Sequence, residues 1–175
     1  MDYLDTRTPE TPHSEAERHV TALYQAHALS LARLALLMLG DRDAAQDVVQ
    51  DAFFGLYRRW DGLASADAAP AYLRTSVLNG CRNALRRRSR QAPSVADEAL
   101  ESAESALVHT EERRALLAAV RRLPARQREV LVLRYYLDMT EGQAAQAMGV
   151  SRGTVKSATS RAVAALGRML KKEES

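Results

Sequence analysis

The chain has 175 residues, 46% of them apolar, with eight glycines and five prolines, which is enough for two small domains and argues against a β protein with many turns. Its one cysteine excludes an internal disulfide framework and a zinc site built from several cysteines. The net charge of +3 hides an asymmetry, because residues 113–172 hold thirteen Lys or Arg against three acidic residues, and this suggests that they face a polyanion.

The N-terminal segment, residues 1–15, is polar and contains two prolines. We expect a disordered arm here and no signal peptide, since there is no apolar run. The longest apolar stretch, residues 34–39, is too short to span a bilayer. The sequence therefore predicts a cytoplasmic protein without membrane insertion.

Residues 16–90 predict a helical domain. Apolar residues at helical spacing indicate a first helix that Gly40 ends. Asp41 or Asp43 can cap a second helix. A third helix follows a loop, and we expect Cys81 to lie in its buried face.

Residues 91–112 carry six acidic residues and no Lys or Arg, among mostly small and polar side chains. This composition predicts a flexible acidic linker between two domains. The fold class is therefore all-α, with two small helical domains joined by this linker.

Residues 113–172 predict four further helices. Thr140 and Gln143 form the capping-box pattern T-x-x-Q at the start of a short helix. Gly149 ends that helix, and Ser151 is a suitable N-cap for the last one. Two helices joined by such a short turn are typical of a helix-turn-helix, whose second helix enters the DNA major groove.

The last helix has two distinct faces at 100° per residue. Val155, Thr159, Ala162 and Leu166 share the inward face, with Ala158 at the margin of the outward face. The outward face is small, hydroxylated and basic, without a carboxylate. Basic and hydroxyl side chains can bind guanine edges or phosphates, and a helix N-terminus favours phosphate; the DNA-binding candidates are Arg152, Thr154, Lys156, Ser157, Ser160 and Arg161.

Three stretches together resemble one family. "LPARQREVLVLRYYLDMTEGQAAQAMGVSRGTVKSATSRAVAAL" (123–166) is similar to region 4 of bacterial sigma-70 factors, in their extracytoplasmic-function (ECF) group. "LARLALLMLGDRDAAQDVVQDAFFGLYRRWDGL" (31–63) resembles region 2.1–2.2, and "APAYLRTSVLNGCRNALRRR" (69–88) resembles regions 2.3–2.4. The resemblance covers about residues 17–170.

The resemblance implies three contact surfaces. Region 2.2 binds the β′ clamp helices of core RNA polymerase, which assigns polymerase contact to Asp47, Gln50, Asp51 and Phe54. Region 4 contacts the β flap and reads the −35 promoter element with the last helix. Regions 2.3–2.4 bind and melt the −10 element, where the matching residues are Arg74, Asn79, Arg82, Asn83, Arg86, Arg87 and Arg88.

The implied function is transcription initiation at promoter DNA, without catalysis, cofactor or metal, and an anti-sigma factor is a further candidate partner. The alternative is a stand-alone helix-turn-helix regulator of LuxR type, whose region around "REVL" and "TVK" is similar. A hydrolase or transferase is disfavoured because the sequence has no Gly-rich phosphate loop, metal-spaced His/Cys set or nucleophile motif.

Overall fold

The computed structural model describes residues 12–90 and 111–173, and each regular element in those two ranges is a helix. This confirms the predicted all-α fold. We call residues 12–90 the first unit and residues 111–173 the second unit. The first unit consists of α1 (Pro12–Leu39), α2 (Arg42–Arg58) and α3 (Ala69–Arg90), and the second of α4 (Glu111–Arg122), α5 (Ala125–Leu131), α6 (Glu141–Met148) and α7 (Arg152–Glu173).

The first unit is a three-helix bundle whose apolar stripes meet in one core. Leu34 and Met38 of α1 pack with Leu56 of α2 and Leu73 of α3. Cys81 is fully buried in this core, as expected. Burial raises the pKa of its thiol from 9.0 to about 12, with a further raising effect from Glu129 and an opposing one from Arg82.

Short-range signals define the junction between α1 and α2. Gly40 adopts a left-handed φ of 67° and its N–H donates to the Leu36 carbonyl at 2.8 Å, which ends α1 as predicted. Of the two proposed caps, Asp41 is the one used, since its Oδ1 accepts the Ala44 N–H at 3.0 Å.

The apolar composition of α1 has a structural use within the bundle. By length and composition Glu15–Leu39 could cross a membrane. Its C-terminal half, however, buries Leu31, Leu34, Ala35 and Met38 in the protein core. A core helix of this kind passes the same compositional test as a membrane span.

The second unit is built around α7, which packs on α4, α5 and α6. Val155 and Ala162 of α7 are fully buried with Val130, Leu133 and Ala144. The predicted capping box is confirmed: the Gln143 N–H donates to Thr140 Oγ1 at 3.2 Å, and the Thr140 N–H donates to Gln143 Oε1 at 2.8 Å. Ser151 is confirmed as a cap, because its Oγ accepts the Thr154 N–H at 3.1 Å.

Two helix starts differ from the sequence prediction. α1 begins at Pro12, inside the segment 1–15 that was expected to be a disordered arm; proline fits a first helical turn, where its missing N–H costs nothing. α4 begins at Glu111, two residues inside the predicted linker 91–112, because Glu111 and Glu112 favour the positive end of a helix dipole. Residues 1–11 and 91–110 of these two segments lie outside the described residues.

The helix after Pro124, the second of the four predicted in residues 113–172, is divided. α5 ends at Leu131, and one turn of π-helix continues from Val132 to Tyr136. The Leu137 N–H donates to the Val132 carbonyl at 3.0 Å, five residues back. The wider turn accommodates an extra residue before α6.

The two units touch directly. α1 of the first unit packs against α4, α5 and the π-turn of the second unit. The Tyr136 hydroxyl at the end of the π-turn donates to the Ser30 carbonyl of α1 at 3.2 Å. Burial raises the pKa of that phenol, against a lowering effect of Arg33.

Candidate nucleic-acid and polymerase interfaces

The helix-turn-helix consists of α6, a turn at Gly149 and α7. Gly149 has a φ of 65°, which favours glycine, and the Val150 N–H returns to the Ala145 carbonyl at 3.0 Å. This turn sets α7 across α6, so that Val155 and Ala162 face the core. The opposite face of α7 is left to solvent.

The solvent face of α7 carries every residue assigned to the −35 element. All six side chains are exposed, namely Arg152, Thr154, Lys156, Ser157, Ser160 and Arg161. The Ser157 hydroxyl donates to the Thr154 carbonyl at 3.1 Å, and Arg161 Nε donates to the Ser157 carbonyl at 3.3 Å. Ala158, expected at the margin of this face, is 8% exposed and belongs to the core.

A groove of about 820 Å³ lies between α2 and α3. Asn79, Asn83, Arg86 and Arg87 all line it, so four of the seven residues assigned to the −10 element meet there. Val48, Asp51 and Gly80 line it as well, and α2 and α3 approach closely at Gly80. A Cβ atom at Gly80 would lie 2.7 Å from Val48 Cγ1.

Sequence reasoning missed two residues of this groove. Ser76 and Arg90 line it beside Tyr72; Ser76 was not considered, and Arg90 was counted in the arginine-rich end of α3 but not chosen as a site residue. Tyr72, Ser76, Asn79, Asn83, Arg86 and Arg90 lie at successive steps of three or four residues along α3, so this polar stripe was the signal that could have found both. Tyr72 is half-buried, with its ring available at the groove wall.

The remaining three −10 candidates have other surroundings. Arg74 is exposed and does not line the groove. Arg88 supports the bundle, because it donates to the Leu39 carbonyl at 2.9 Å and to Asp41 Oδ2 at 2.7 Å. Arg82 reaches across to the second unit, where it forms an ion pair with Glu129 of α5.

The face of α2 assigned to polymerase is solvent-exposed. Asp47, Gln50, Asp51 and Phe54 follow one another at helical spacing and are all exposed. The Phe54 ring is 62% exposed and lies 5.6 Å from the Arg58 guanidinium. An acidic row ending in an exposed aromatic ring suits a partner helix that is basic and partly apolar.

Nothing in the described part of the chain suggests a metal centre. Across those residues no three His, Cys, Asp or Glu side chains are grouped so that they could hold an ion. His19 instead stacks on Trp60, with ring centroids 5.1 Å apart, so Trp60 is engaged inside the first unit.

Comparisons with known proteins agree on one family. The model of Sigma-70 region 2 matches residues 23–91, and that of Sigma-70, region 4, matches residues 113–166. The chain is 37% identical to an RNA polymerase sigma-E factor of Streptomyces avermitilis over 140 residues, 78% of this chain and 76% of that one. It is 31% identical to the ECF RNA polymerase sigma factor SigM of Mycobacterium tuberculosis over 148 residues, 85% of this chain and 75% of that one.

Solved structures show the same fold. The sigma factor RpoE of Bartonella quintana, solved in complex with the anti-sigma factor NepR, aligns with a TM-score of 0.71 at 24% identity, covering 90% of this chain and 97% of that one. The LuxR alternative is not supported, because the region 2 match accounts for the first unit. The chain belongs to the sigma-70 family of RNA polymerase sigma factors, in its ECF group.

Proposed function

We propose that the chain binds core RNA polymerase through the exposed face of α2, reads the −35 element with α7, and holds the opened −10 element in the groove between α2 and α3. Membership of the family makes it a transcription initiation factor and not an enzyme. Its place of action is the cytoplasm, where the polymerase works. The predicted domain division, 16–90 and 113–172, assigns one promoter element to each unit.

The observation that carries the proposal is the pairing of two different nucleic-acid surfaces on one chain. α7 presents a convex, acid-free face that fits a duplex groove. α3 lines a concave groove with two amides, a phenol ring and three arginines, namely Asn79, Asn83, Tyr72, Arg86, Arg87 and Arg90. A base that has left its stack needs such a pocket, with a hydrogen-bonding edge and a ring to stack on.

The arginines around this groove supply the affinity for the DNA backbone. Arg86 and Arg87 are exposed, so each can exchange water and counterions for a phosphate. Binding of this kind weakens steeply with salt. Asn79, whose amide presents both a donor and an acceptor, is the residue best suited to read a base edge.

Two solved structures of the same fold support a proposal about regulation. The Bartonella quintana sigma factor was crystallised with the anti-sigma factor NepR, and CnrH with the cytosolic domain of CnrY. We propose that an anti-sigma protein is a regulator of this chain as well.

Run-off transcription with core polymerase tests the proposal. We expect promoter-dependent transcripts with the wild-type factor and none with core enzyme alone. Lys156→Ala should lower promoter affinity by about 1–3 kcal/mol if Lys156 contacts a base, or reduce the salt slope by about one if it contacts a phosphate. Arg114→Ala removes an exposed cation of α4 and serves as the matched control that should leave initiation unchanged.

Polymerase binding is tested separately from DNA binding. Phe54→Ala should weaken association with core enzyme by about 1–2 kcal/mol in a pull-down titration. Leu29→Ala is the matched control, since Leu29 is a 65% exposed apolar residue on another helix, close to the 62% of Phe54. Equal affinity of both variants and the wild type would remove α2 from the proposal.

A further inference from the structure

Ser89 lies in a run of arginines at the end of α3. Three consecutive arginines precede it and Arg90 follows it, and among the serines and threonines of the sequence it alone has arginine at each of the three preceding positions. Its side chain is exposed, and it is the second-last residue of the helix Ala69–Arg90. A hydroxyl group in this place is accessible to a second protein.

The hydroxyl group of Ser89 is bonded to the turn that carries Arg86. Ser89 Oγ donates to the Arg86 carbonyl at 2.9 Å. Residues three apart are neighbours on a helix surface, and Arg86 lines the groove between α2 and α3. Arg87 and Arg90 line the same groove, so Ser89 lies among the cations that we propose to hold the −10 backbone.

The guanidinium groups of this run differ in their availability. Arg88 supports the bundle, because it donates to the Leu39 carbonyl and to Asp41 Oδ2. Arg86 has a neutral partner, since its Nη2 donates to Asn83 Oδ1 at 2.5 Å. A hydrogen bond to a charged phosphate oxygen is stronger than one to an amide oxygen. Arg86 is therefore the cation that a new negative charge at position 89 would recruit.

We infer that Ser89 is a phosphorylation site at which a serine/threonine kinase prevents the factor from binding the −10 element. The arginines before Ser89 provide the recognition signal, because a kinase with an acidic substrate groove would select them by charge. The inference rests on the proposed −10 role of α3. It adds a control that acts on promoter opening.

The reaction is a phosphoryl transfer from ATP. Ser89 Oγ attacks the γ-phosphorus, the bond from that phosphorus to the β,γ-bridging oxygen breaks, and ADP leaves. The hydroxyl proton passes to the catalytic aspartate of the kinase. Ser89 must give up its bond to the Arg86 carbonyl, and this requires only the helix end to unwind, because the last four carbonyls of a helix have no intrahelical partner.

A phosphate on Ser89 would weaken the grip of the groove on DNA in two ways. It carries about −1.5 to −2 charge at pH 7 and takes Arg86 away from the DNA backbone. Its remaining charge repels the phosphates that Arg87 and Arg90 would hold. The negative end of the helix dipole lies at the same place, so the phosphate depends on arginine for its stabilisation.

The polymerase surface is largely separate from this site. Asp47, Gln50 and Phe54 of α2 do not line the groove. A phosphorylated factor should therefore still bind core polymerase while it fails to hold the opened −10 element. This combination distinguishes a specific effect on DNA from a general loss of folding.

Phosphorylation of the full chain tests whether Ser89 is a substrate. The factor is incubated with ATP and a purified serine/threonine kinase that selects arginine two and three positions before the serine, and mass spectrometry locates the phosphate. We expect a phosphate on Ser89 and a loss of that signal in Ser89→Ala. Ser65→Ala is the matched control, because Ser65 is an exposed serine of the same unit with no arginine among the three residues before it. A factor without phosphate on Ser89 after this reaction overturns the inference.

Run-off transcription with the phosphorylated factor tests the effect on initiation. Transcripts should fall by about tenfold or more, and the salt slope of promoter binding should fall by about one, because one cation no longer contacts a DNA phosphate. Phosphatase treatment should restore both values. Association with core polymerase should match that of the unmodified factor.

Ser89→Glu provides a test without a kinase. With wild-type helicity it should lower the yield of transcripts several-fold, while the uncharged Ser89→Gln should match the wild type. If Ser89→Glu fails to fold, the phosphorylated wild type decides.

The readouts separate the inference from the proposed function. Full transcription by a factor that carries phosphate on Ser89 overturns the inference and leaves the proposed function intact. An equal loss of polymerase association also overturns it, because the phosphate would then act on the whole fold. A lack of promoter-dependent transcripts from the unmodified factor overturns the proposed function itself.

Discussion

Gly80 allows α2 and α3 to pack closely beside the groove. A Cβ atom there would lie 2.7 Å from Val48 Cγ1, a distance that forces α2 and α3 apart. We expect Gly80→Ala to lower the free energy of unfolding by about 1–2 kcal/mol, since overpacking costs about 1–3 kcal/mol and the better helix propensity returns up to about 1 kcal/mol. Urea denaturation measures the change.

The double variant Val48→Ala, Gly80→Ala is the control for this prediction. Removing the valine methyls makes room for the new Cβ. The double variant should therefore lose less free energy of unfolding than the sum of the losses in the two single variants. Strict additivity of the two changes would show that the close approach at Gly80 is not what limits packing.

The raised pKa of Cys81 predicts a loss of stability at alkaline pH. Its pKa is about 12 in the folded chain against an ordinary 9.0, so above pH 9 the unfolded chain releases a proton that the folded chain retains. Stability from this group is complete below pH 9 and falls by up to about 1.4 kcal/mol per pH unit above it. Denaturation at about pH 8 and about pH 10 measures the fall, and Cys81→Ala should reduce it.

Tyr136 contributes a slope of the same sign, because its pKa is also raised by burial. Comparison of Cys81→Ala with the wild type separates the two groups. An identical decline in both proteins would assign the alkaline sensitivity to residues other than Cys81.

For single residues, the sequence predicts which side chains are buried better than it predicts which residues they contact. Helical periodicity placed Val155, Ala162 and Cys81 in the core, and the structure confirms all three. The pairing of Arg82 with Glu129 had no local signal, because the two residues are 47 positions apart. Ala158 was misplaced because helical angles alone do not show how far α6 covers α7.

At the scale of the element, the caps of α6 carry a prediction about the helix-turn-helix. Thr140 Oγ1 accepts the Gln143 N–H at the start of this eight-residue helix. Thr140→Ala removes that acceptor and should lower the free energy of unfolding by about 1 kcal/mol. Thermal or urea denaturation provides the measurement.

Thr21→Ala is the matched control, because Thr21 is exposed inside α1, where alanine is the better helix former. It should be neutral or slightly stabilising. Equal stability loss in both variants would show that a general effect of removing threonine, and not the cap, is responsible.

Local chemistry explains which helices were predicted well. α6 and α7 begin at side-chain caps, Thr140 and Ser151, and Gly149 separates them; all three have a signature in the sequence. The π-turn at Val132–Tyr136 has none, because an extra residue in a helical turn is accommodated by packing of α5 against its neighbours. The start of α1 at Pro12 was also missed, because a run of polar residues is equally typical of the first turn of a helix and of a disordered arm.

At the scale of the whole molecule, the contact between the two units predicts weak DNA binding by the free factor. A gel-shift titration should show little specific binding of promoter duplex without core polymerase and tight binding with it. Each unit raises the effective concentration of the other only when polymerase sets their spacing. Tight specific binding by the factor alone would contradict this prediction.

The contact between the units is the part of the structure that sequence reasoning did not reach. The acidic composition of residues 91–112 indicated a linker, and a linker predicts two independent units. Whether such units dock depends on surface shape and on a few long-range bonds, such as those of Arg82 and Tyr136. These bonds have no periodic pattern to reveal them.

Arg128 is held in place by its own unit at the contact between the two units. Its Nη2 is held by the Arg121 and Leu123 carbonyls of its own unit, at 2.5 Å and 3.2 Å, while only Nη1 reaches Met38. When the units part, this side chain stays anchored in its docking posture. Re-docking then costs this side chain little rotational freedom, so the two units should rejoin readily after they separate.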